Sequence, residues 1–241
     1  MSCLLVIGGN SEIGFHTAKI FASQGFDIHL VSKNLDQLIK NKKVIEEAYK
    51  VDCRISQIDL YNLDSITKFV EQDKIVSKII LIAAGYLESP EKSIDRIIKI
   101  NYLNLVEIIE KLICKNNDEN KILSTIIGIS SIAGERGKRN NNIYSSSKAG
   151  FTVYLDGLRQ RLYQSNINVI TIKPGYVKTK MIKGLNLPKY LISTPEKVAS
   201  NIYNSFKKNK TIVYAPYYWK VLMFIYKKIP EKIFKFLIKN N

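Results

Sequence analysis

Seven short runs dominated by valine, isoleucine and leucine alternate along this chain with longer stretches of helical spacing, and that alternation restricts the fold more than any other feature. A strand that is apolar on both faces must be covered on both sides, which is the condition of a parallel sheet held between two layers of helix. We place strands at Cys3–Gly8, Phe26–Val31, Arg54–Ile58, Lys78–Ala83, Leu123–Ile129, Ile167–Ile172 and Thr211–Tyr214. Helical patterns fill the gaps at Ile13–Gln24, Leu35–Tyr49, Leu63–Gln72, Ile94–Lys115, Tyr144–Gln164 and Pro195–Lys207. Thr194 is suited to cap the last of these, ahead of Pro195 and Glu196. The expectation is one doubly wound α/β domain over residues 1–215, with 216–241 as a basic amphipathic C-terminal extension. Asn116–Asn120 and Arg139–Asn142 read as polar loops, and Gly184–Ser193 has no period.

Charge is divided unevenly. The net +16 comes from residues 121–241, with 22 Lys and Arg against 4 acids, whereas residues 1–120 carry 15 against 17. Nucleic acid, an anionic membrane or an anionic substrate would each suit such a basic half. No apolar stretch approaches a membrane span, and the start lacks the pattern of a signal peptide, so a cytosolic protein is expected. Cys3, Cys53 and Cys114 lack metal-ligand spacing and read as reduced thiols; no metal site is expected.

Directly after the first strand comes Gly8-Gly-Asn10-Ser11-Glu12-Ile13-Gly14, a glycine turn opening a helix. Glycines let backbone approach a pyrophosphate, and the free N–H groups of the helix start supply positive potential, so a dinucleotide is expected there. A carboxylate ending the second strand would bind an adenosine ribose and repel a 2′-phosphate. Here the strand ends in Ser32-Lys33 with no acid, which favours NADPH over NADH. Asp59, followed by Leu60, is placed to meet the adenine amino group, or else to cap the next helix.

Carbonyl reduction needs a proton donor whose acidity is brought towards working pH, and a lysine four residues along a helix from a tyrosine does this. Tyr144/Lys148, Tyr176/Lys180 and Tyr203/Lys207 all have that spacing. With so many lysines about two matches arise by chance. Only Tyr144 has a hydroxyl at the end of the preceding strand, Ser131, thirteen residues earlier; Ser130 is its competitor. Asn101 lies inside a long helix it does not favour, where bending the helix to hold a water behind Lys148 would be a use for it.

Together these residues resemble the short-chain dehydrogenase/reductase superfamily, with Ala84-Gly85, Tyr144-Ser-Ser-Ser-Lys148-Ala-Gly and Pro174-Gly175-Tyr176-Val177-Lys178-Thr179 in family order along the chain. The resemblance implies a Rossmann-like fold and a catalytic tetrad of Asn101, Ser131, Tyr144 and Lys148. It also implies nicotinamide contacts from Pro174, Gly175, Val177 and Thr179. Glu12 stands at the usual middle glycine and Ala83 replaces the usual asparagine. SSIAGERGKRNNNIYSSSKAG, PGYVKTKM and the end of the chain resemble a subgroup that reduces decaprenylphosphoryl-2-keto-ribose, after a separate flavin-dependent oxidase has made the ketone. That implies a lipid-linked sugar substrate and cell-envelope glycan synthesis.

From Lys207 onward there are nine lysines and one glutamate, interleaved with aromatic residues and divided by Pro230. Lys232, Lys235 and Lys239 fall opposite Ile233, Phe236 and Leu237, as in a helix lying in a membrane interface. The expected setting is peripheral, on the inner face of the cytoplasmic membrane. Packing on the core or on another subunit of a homo-oligomer is the alternative. Arg136, Lys138 and Arg139 are candidates for a substrate phosphate, or a solvated loop. A soluble substrate such as a 3-oxoacyl carrier-protein ester stands beside the lipid-linked ketone. A nucleotide-sensing or nucleic-acid-binding protein is a third reading, disfavoured by Ser131, Tyr144 and Lys148; no nucleic-acid partner is expected.

Overall fold

Numbered in chain order, strands Cys3–Ile7 (β1), Asp27–Ser32 (β2), Cys53–Gln57 (β3), Ile79–Ile82 (β4), Thr125–Ile129 (β5), Asn168–Pro174 (β6) and Ile212–Ala215 (β9) pair in parallel. Their order in the sheet is β3-β2-β1-β4-β5-β6-β9. The computed structural model describes residues 2–72, 77–88, 90–118, 123–137, 139–185 and 187–234. The expected seven-stranded parallel sheet is thus present, with each strand within a few residues of its expected position.

The two faces of the sheet are both dry. Leu4 and Val6 of β1 turn to one side with Leu30, Ile79 and Leu81, where helices Glu12–Ala22 (α1), Leu35–Tyr49 (α2) and Pro195–Lys207 (α7) cover them. Leu5 and Ile7 turn to the other side with Ile80, Ile82 and Ile126, beneath Leu63–Gln72 (α3), Asn104–Asp118 (α5) and Asn142–Arg161 (α6). Each such buried side chain contributes about 2 kcal/mol, so central strands apolar on both faces are stable only in this sandwich. Thr194 caps α7 as expected, its hydroxyl accepting from the Lys197 N–H.

Three local features depart from the sequence reading. The helix expected over Ile94–Lys115 is broken: Pro90–Ile98 (α4) passes into a π-turn, Lys99–Leu103, before α5 resumes. Asn101 lies in that turn, wholly buried. Its amide accepts from the Tyr86 N–H and donates to the Tyr86 carbonyl, both at 2.7 Å. The aperiodic stretch before α7 contains Ile192–Ser193 (β8), which pairs with Tyr176–Val177 (β7) as a separate small ribbon. The helix expected from Tyr144 begins two residues earlier and ends at Arg161.

The C-terminal extension is seated on the body. Trp219 and Met223 of Tyr218–Lys228 (α8) are buried with Ile132 against Tyr176, Leu191, Tyr214 and Tyr226. Phe234 beyond it is buried too. Lys235, Phe236, Leu237 and Lys239, part of the expected amphipathic pattern, lie outside the described residues. Among the described residues no helix is long and apolar enough to cross a membrane.

The strand order reverses between β1 and β4, which leaves a crevice at the carboxyl edge between them. Gly8 turns the chain there with φ of +97°, and a Cβ at this position would lie 2.6 Å from the Ala84 nitrogen. Gly8→Ala is expected to lower the unfolding free energy by more than about 2 kcal/mol, since strain and overlap combine. Urea denaturation measures this, and an unchanged midpoint would show that the turn adapts.

Candidate active site

Most of the expected site residues lie at the carboxyl ends of the strands, in the loops beyond them or in the helices that follow. Two adjoining cavities, about 460 and 170 Å³, run along that edge and share Ser11, Glu12, Ala84, Gly85, Leu87 and Met181. The larger is lined by Gly8, Ser32, Lys33, Asp59 and Leu60. The smaller is lined by Ile13, Ala83, Ser131, Tyr144 and Lys148, with Pro174, Gly175, Val177 and Thr179 opposite. Together they run from Lys33 and Asp59 past the glycine turn to Tyr144 and Lys148, a course that suits an extended dinucleotide.

The turn itself is built for an anion. Ser11 caps α1, its hydroxyl accepting from the Gly14 N–H at 3.0 Å, and the first N–H groups of a helix have no intrahelical acceptor. The absent Cβ at Gly8 keeps the floor open. Asn10 does not line either cavity; its amide donates to the Asn34 carbonyl and so ties the turn to the start of α2. The carboxylate of Glu12 reaches across to accept from the Lys180 N–H at 2.9 Å, joining the turn to the loop after β7.

At the far end, Lys33 donates to Asp59 at 2.6 Å. Partial burial would raise the Asp59 carboxyl, but Lys33 and the Tyr61 N–H outweigh it and hold it below the usual range. The carboxylate expected to meet an adenine and the ammonium expected to meet a phosphate therefore hold one another. Arg96 also lines this cavity, its guanidinium over the Tyr86 ring at 4.9 Å. Sequence reading missed it, because no strand end or spacing marks it.

The two serines after β5 both border the smaller cavity, but their hydroxyls have different partners. Ser130 is buried, donating to the Lys148 carbonyl at 3.0 Å and lying 2.6 Å from the Thr152 hydroxyl. Ser131 faces the smaller cavity, beside Tyr144. Its hydroxyl also accepts from the Ala133 N–H, which starts the single 3-10 turn Ile132–Glu135.

Burial pushes the Tyr144 phenol up to about 12, with the Ser131 hydrogen bond pulling the other way. Burial likewise lowers the Lys148 ammonium to about 8. Lys148 Nζ donates to the Ile129 carbonyl at 3.2 Å, which fixes it under the cavity. Asn101 Oδ1 and Lys148 Nζ would both stand 3.6 Å from a Cβ at Gly85, so glycine there leaves them room. Asn101 thus borders this group, with its amide committed to the Tyr86 backbone.

Arg136 is not in the cavity. One of its nitrogens donates to the Tyr226 and Ile229 carbonyls at 2.9 and 2.8 Å, another pairs with Glu231, and the guanidinium lies 3.7 Å from the Phe234 ring centre. The expected phosphate contact gives way to a clamp on the C-terminal segment. Arg139 is exposed and lines neither cavity. Lys138 lies outside the described residues.

Beside Arg136 is a group that spacing did not reveal. The Glu135 side chain is 4% exposed and accepts from Lys173 of β6, from Lys227 of α8 at 2.7 Å and from the Tyr214 hydroxyl at 2.9 Å. Burial alone would raise this carboxyl, but the two ammonium groups reverse the effect and hold it at about 2. The turn it ends begins at Ser131, and Lys173 immediately precedes Pro174-Gly175. Gly175 in turn meets α8, since a Cβ there would lie 1.8 Å from Trp219 Nε1. The last helix is thereby joined to both walls of the smaller cavity.

Residues 2–189 match the family model described as short chain dehydrogenase. An uncharacterized oxidoreductase of Mycobacterium tuberculosis is 24% identical over 96% of this chain and 95% of its own length. The 3-oxoacyl-[acyl-carrier-protein] reductase FabG of Chlamydia trachomatis is 27% identical over 76% of each. Among solved structures, a short-chain dehydrogenase from Sphingobium yanoikuyae in complex with NADPH superposes with a TM-score of 0.81 at 21% identity, covering 96% of this chain and 97% of that one.

Glu135→Gln is expected to destabilise the protein by about 3 kcal/mol or more, because Lys173 is left buried without its counter-charge. The emission of Trp219, the only tryptophan, should shift to the red as α8 loosens. Because the folded carboxyl titrates below its unfolded value, the wild-type advantage is complete above about pH 4.5 and is lost as pH falls towards about 2. Equal stability of the two proteins at neutral pH would remove the carboxylate from this role.

Proposed function

The chain belongs to the short-chain dehydrogenase family and is an oxidoreductase, and from that premise we propose that it reduces a ketone to a secondary alcohol with NADPH. The observation that carries this reading is the meeting of Ser131, Tyr144 and Lys148 in one cavity that continues to Lys33 and Arg96. NADPH, when bound, supplies a hydride to the carbonyl carbon. The residues fit it: a glycine turn and helix start for the pyrophosphate, and two cations where a 2′-phosphate would lie.

The protein's own groups handle the oxygen. Ser131 donates a hydrogen bond to the carbonyl oxygen and draws charge onto it. Tyr144, kept protonated by its buried setting, gives up its proton as negative charge develops on that oxygen. The phenolate left behind is stabilised by the Lys148 ammonium. Lys148 is held against the Ile129 carbonyl, and Asn101 keeps the Gly85-Tyr86 segment in place above it. On the adenosine side a 2′-phosphate would take Lys33 from Asp59.

The substrate we infer is a polyprenyl-phosphate-linked 2-keto-pentose, presented at the inner membrane surface, with a flavin-dependent oxidase as the source of the ketone. Its support is the resemblance of the segments around Ser131, Tyr144 and Pro174, together with the basic second half. A 3-oxoacyl thioester is the second reading, favoured by the 27% identity to a reductase named for that reaction.

Tyr144→Phe should reduce turnover at least about a hundredfold while NADPH binding is kept. Wild-type reduction should slow as pH rises through about 8, where Lys148 loses its charge. Retained turnover in the phenylalanine variant would overturn the proton-donor assignment. NADPH oxidation with a polyprenyl-phosphate 2-keto-pentose, beside a 3-oxoacyl carrier-protein ester, decides the substrate; faster reduction of the thioester would sink the first reading. Lys33→Ala should erode the preference for NADPH over NADH, and a wild-type preference for NADH would count against the cofactor assignment.

A further inference from the structure

The mouth of the smaller cavity is bordered by two elements with an unusual makeup. From Tyr176 to the end, the chain has fourteen lysines and two glutamates, and neither glutamate lies in the loop after β7 or in α8. That loop exposes Lys178, Lys183 and Lys189, and its apolar Leu185 and Tyr190 are exposed as well. It borders the site directly, since Met181, Ile182 and Leu185 line the cavity.

Helix α8 continues the same surface. The Tyr218 hydroxyl donates to the Leu191 carbonyl at 3.3 Å, and Leu191 packs with Trp219 and Met223. With those two buried inward, Val221, Leu222, Phe224 and Ile225 are left exposed, Phe224 at 61%. A water-facing helix of a lone protein does not ordinarily carry four such residues together. Two of the three lysines of α8 lie beside outward aromatic rings: Lys228 Nζ is 4.2 Å from the Phe224 ring centre and Lys220 Nζ is 5.7 Å from that of Tyr217. Glu135 and Arg136 clamp α8 in this orientation, so the face is fixed towards the outside.

We propose that this rim, α8 and the loop after β7 together, is a docking face for an anionic lipid bilayer. The inference deepens the reductase reading by naming the surface on which the substrate is met. Apolar side chains of an interfacial helix enter the headgroup boundary, and each nearby lysine strengthens attachment to an anionic surface. Lysine stems extend from that depth to the phosphates. Charge complementarity selects this occupant: a second copy would bring lysines against lysines with no acid to pair them. A nucleic acid would stack at most one base on Phe224 and would gain little from exposed Val221, Leu222 and Ile225, which make no phosphate or base-edge hydrogen bond.

The test is flotation of the full chain with phosphatidylcholine vesicles containing or lacking phosphatidylglycerol. Binding is expected only to the anionic vesicles and should weaken with added salt. Two variants, Phe224→Asp with Ile225→Asp, and Lys189→Gln with Lys220→Gln and Lys228→Gln, should each lose about tenfold or more in vesicle affinity. Both should keep NADPH binding and reduction of a small water-soluble ketone, which verifies their fold. Absence of flotation, flotation equal in variants and wild type, self-association abolished by the same changes, or tight binding of an RNA oligonucleotide would each overturn the face. Reduction of the lipid-linked ketone in detergent without flotation would sink the docking face alone; flotation without that reduction would sink the substrate reading alone.

Discussion

The parallel sheet buries both of its faces, and most of the molecule follows from that. Central strands that are largely apolar on both faces leave the ends of strands and helices as the places where chemistry is built, and the strands of the sheet all end on the same edge. The reversal of strand order between β1 and β4 opens that edge into a crevice. Gly8, Ala84 and Gly85 line it, so backbone and small side chains form its floor. The glycine turn, the serines after β5 and Gly175 lie just beyond the ends of their strands.

The same dry interior sets the acidity of the site. Lys148 is almost fully buried, which costs its charged form and lowers its pKa, while the Tyr144 phenol is pushed the other way. The protein therefore holds a proton firmly on oxygen and keeps an ammonium beside it that is only moderately stable in its charged state. Glu135 shows the opposite resolution. There two lysines and a tyrosine hydroxyl compensate the buried carboxylate, and the result is a fixed junction of four elements.

That junction changes the meaning of the C-terminal segment. Its pattern admits either packing on the core or contact with a membrane, because α8 is apolar over more of its circumference than one buried face uses. Trp219 and Met223 take the first role, leaving Phe224 and Ile225 free of the core. Arg136 shows how local sequence misleads here: a basic residue shortly before Tyr144 looks like a phosphate ligand, but ninety residues later the chain returns and occupies its guanidinium.

The sequence by itself determined the sheet, the helices on both faces and the glycine turn, and it grouped Ser131, Tyr144 and Lys148, which line one cavity. These rest on periodicity and on short fixed offsets, which secondary structure converts directly into geometry. Asn101 was legible as a misfit in a helix, and the helix does break there. Only the tertiary structure decided that the Ser130 hydroxyl is taken up by Lys148 and Thr152, that Lys33 meets Asp59, that Arg96 joins them, and that Glu135 ties the last helix to the site. Each of these depends on elements distant in the chain coming together, and packing of the whole core, not any local spacing, fixes which of them touch.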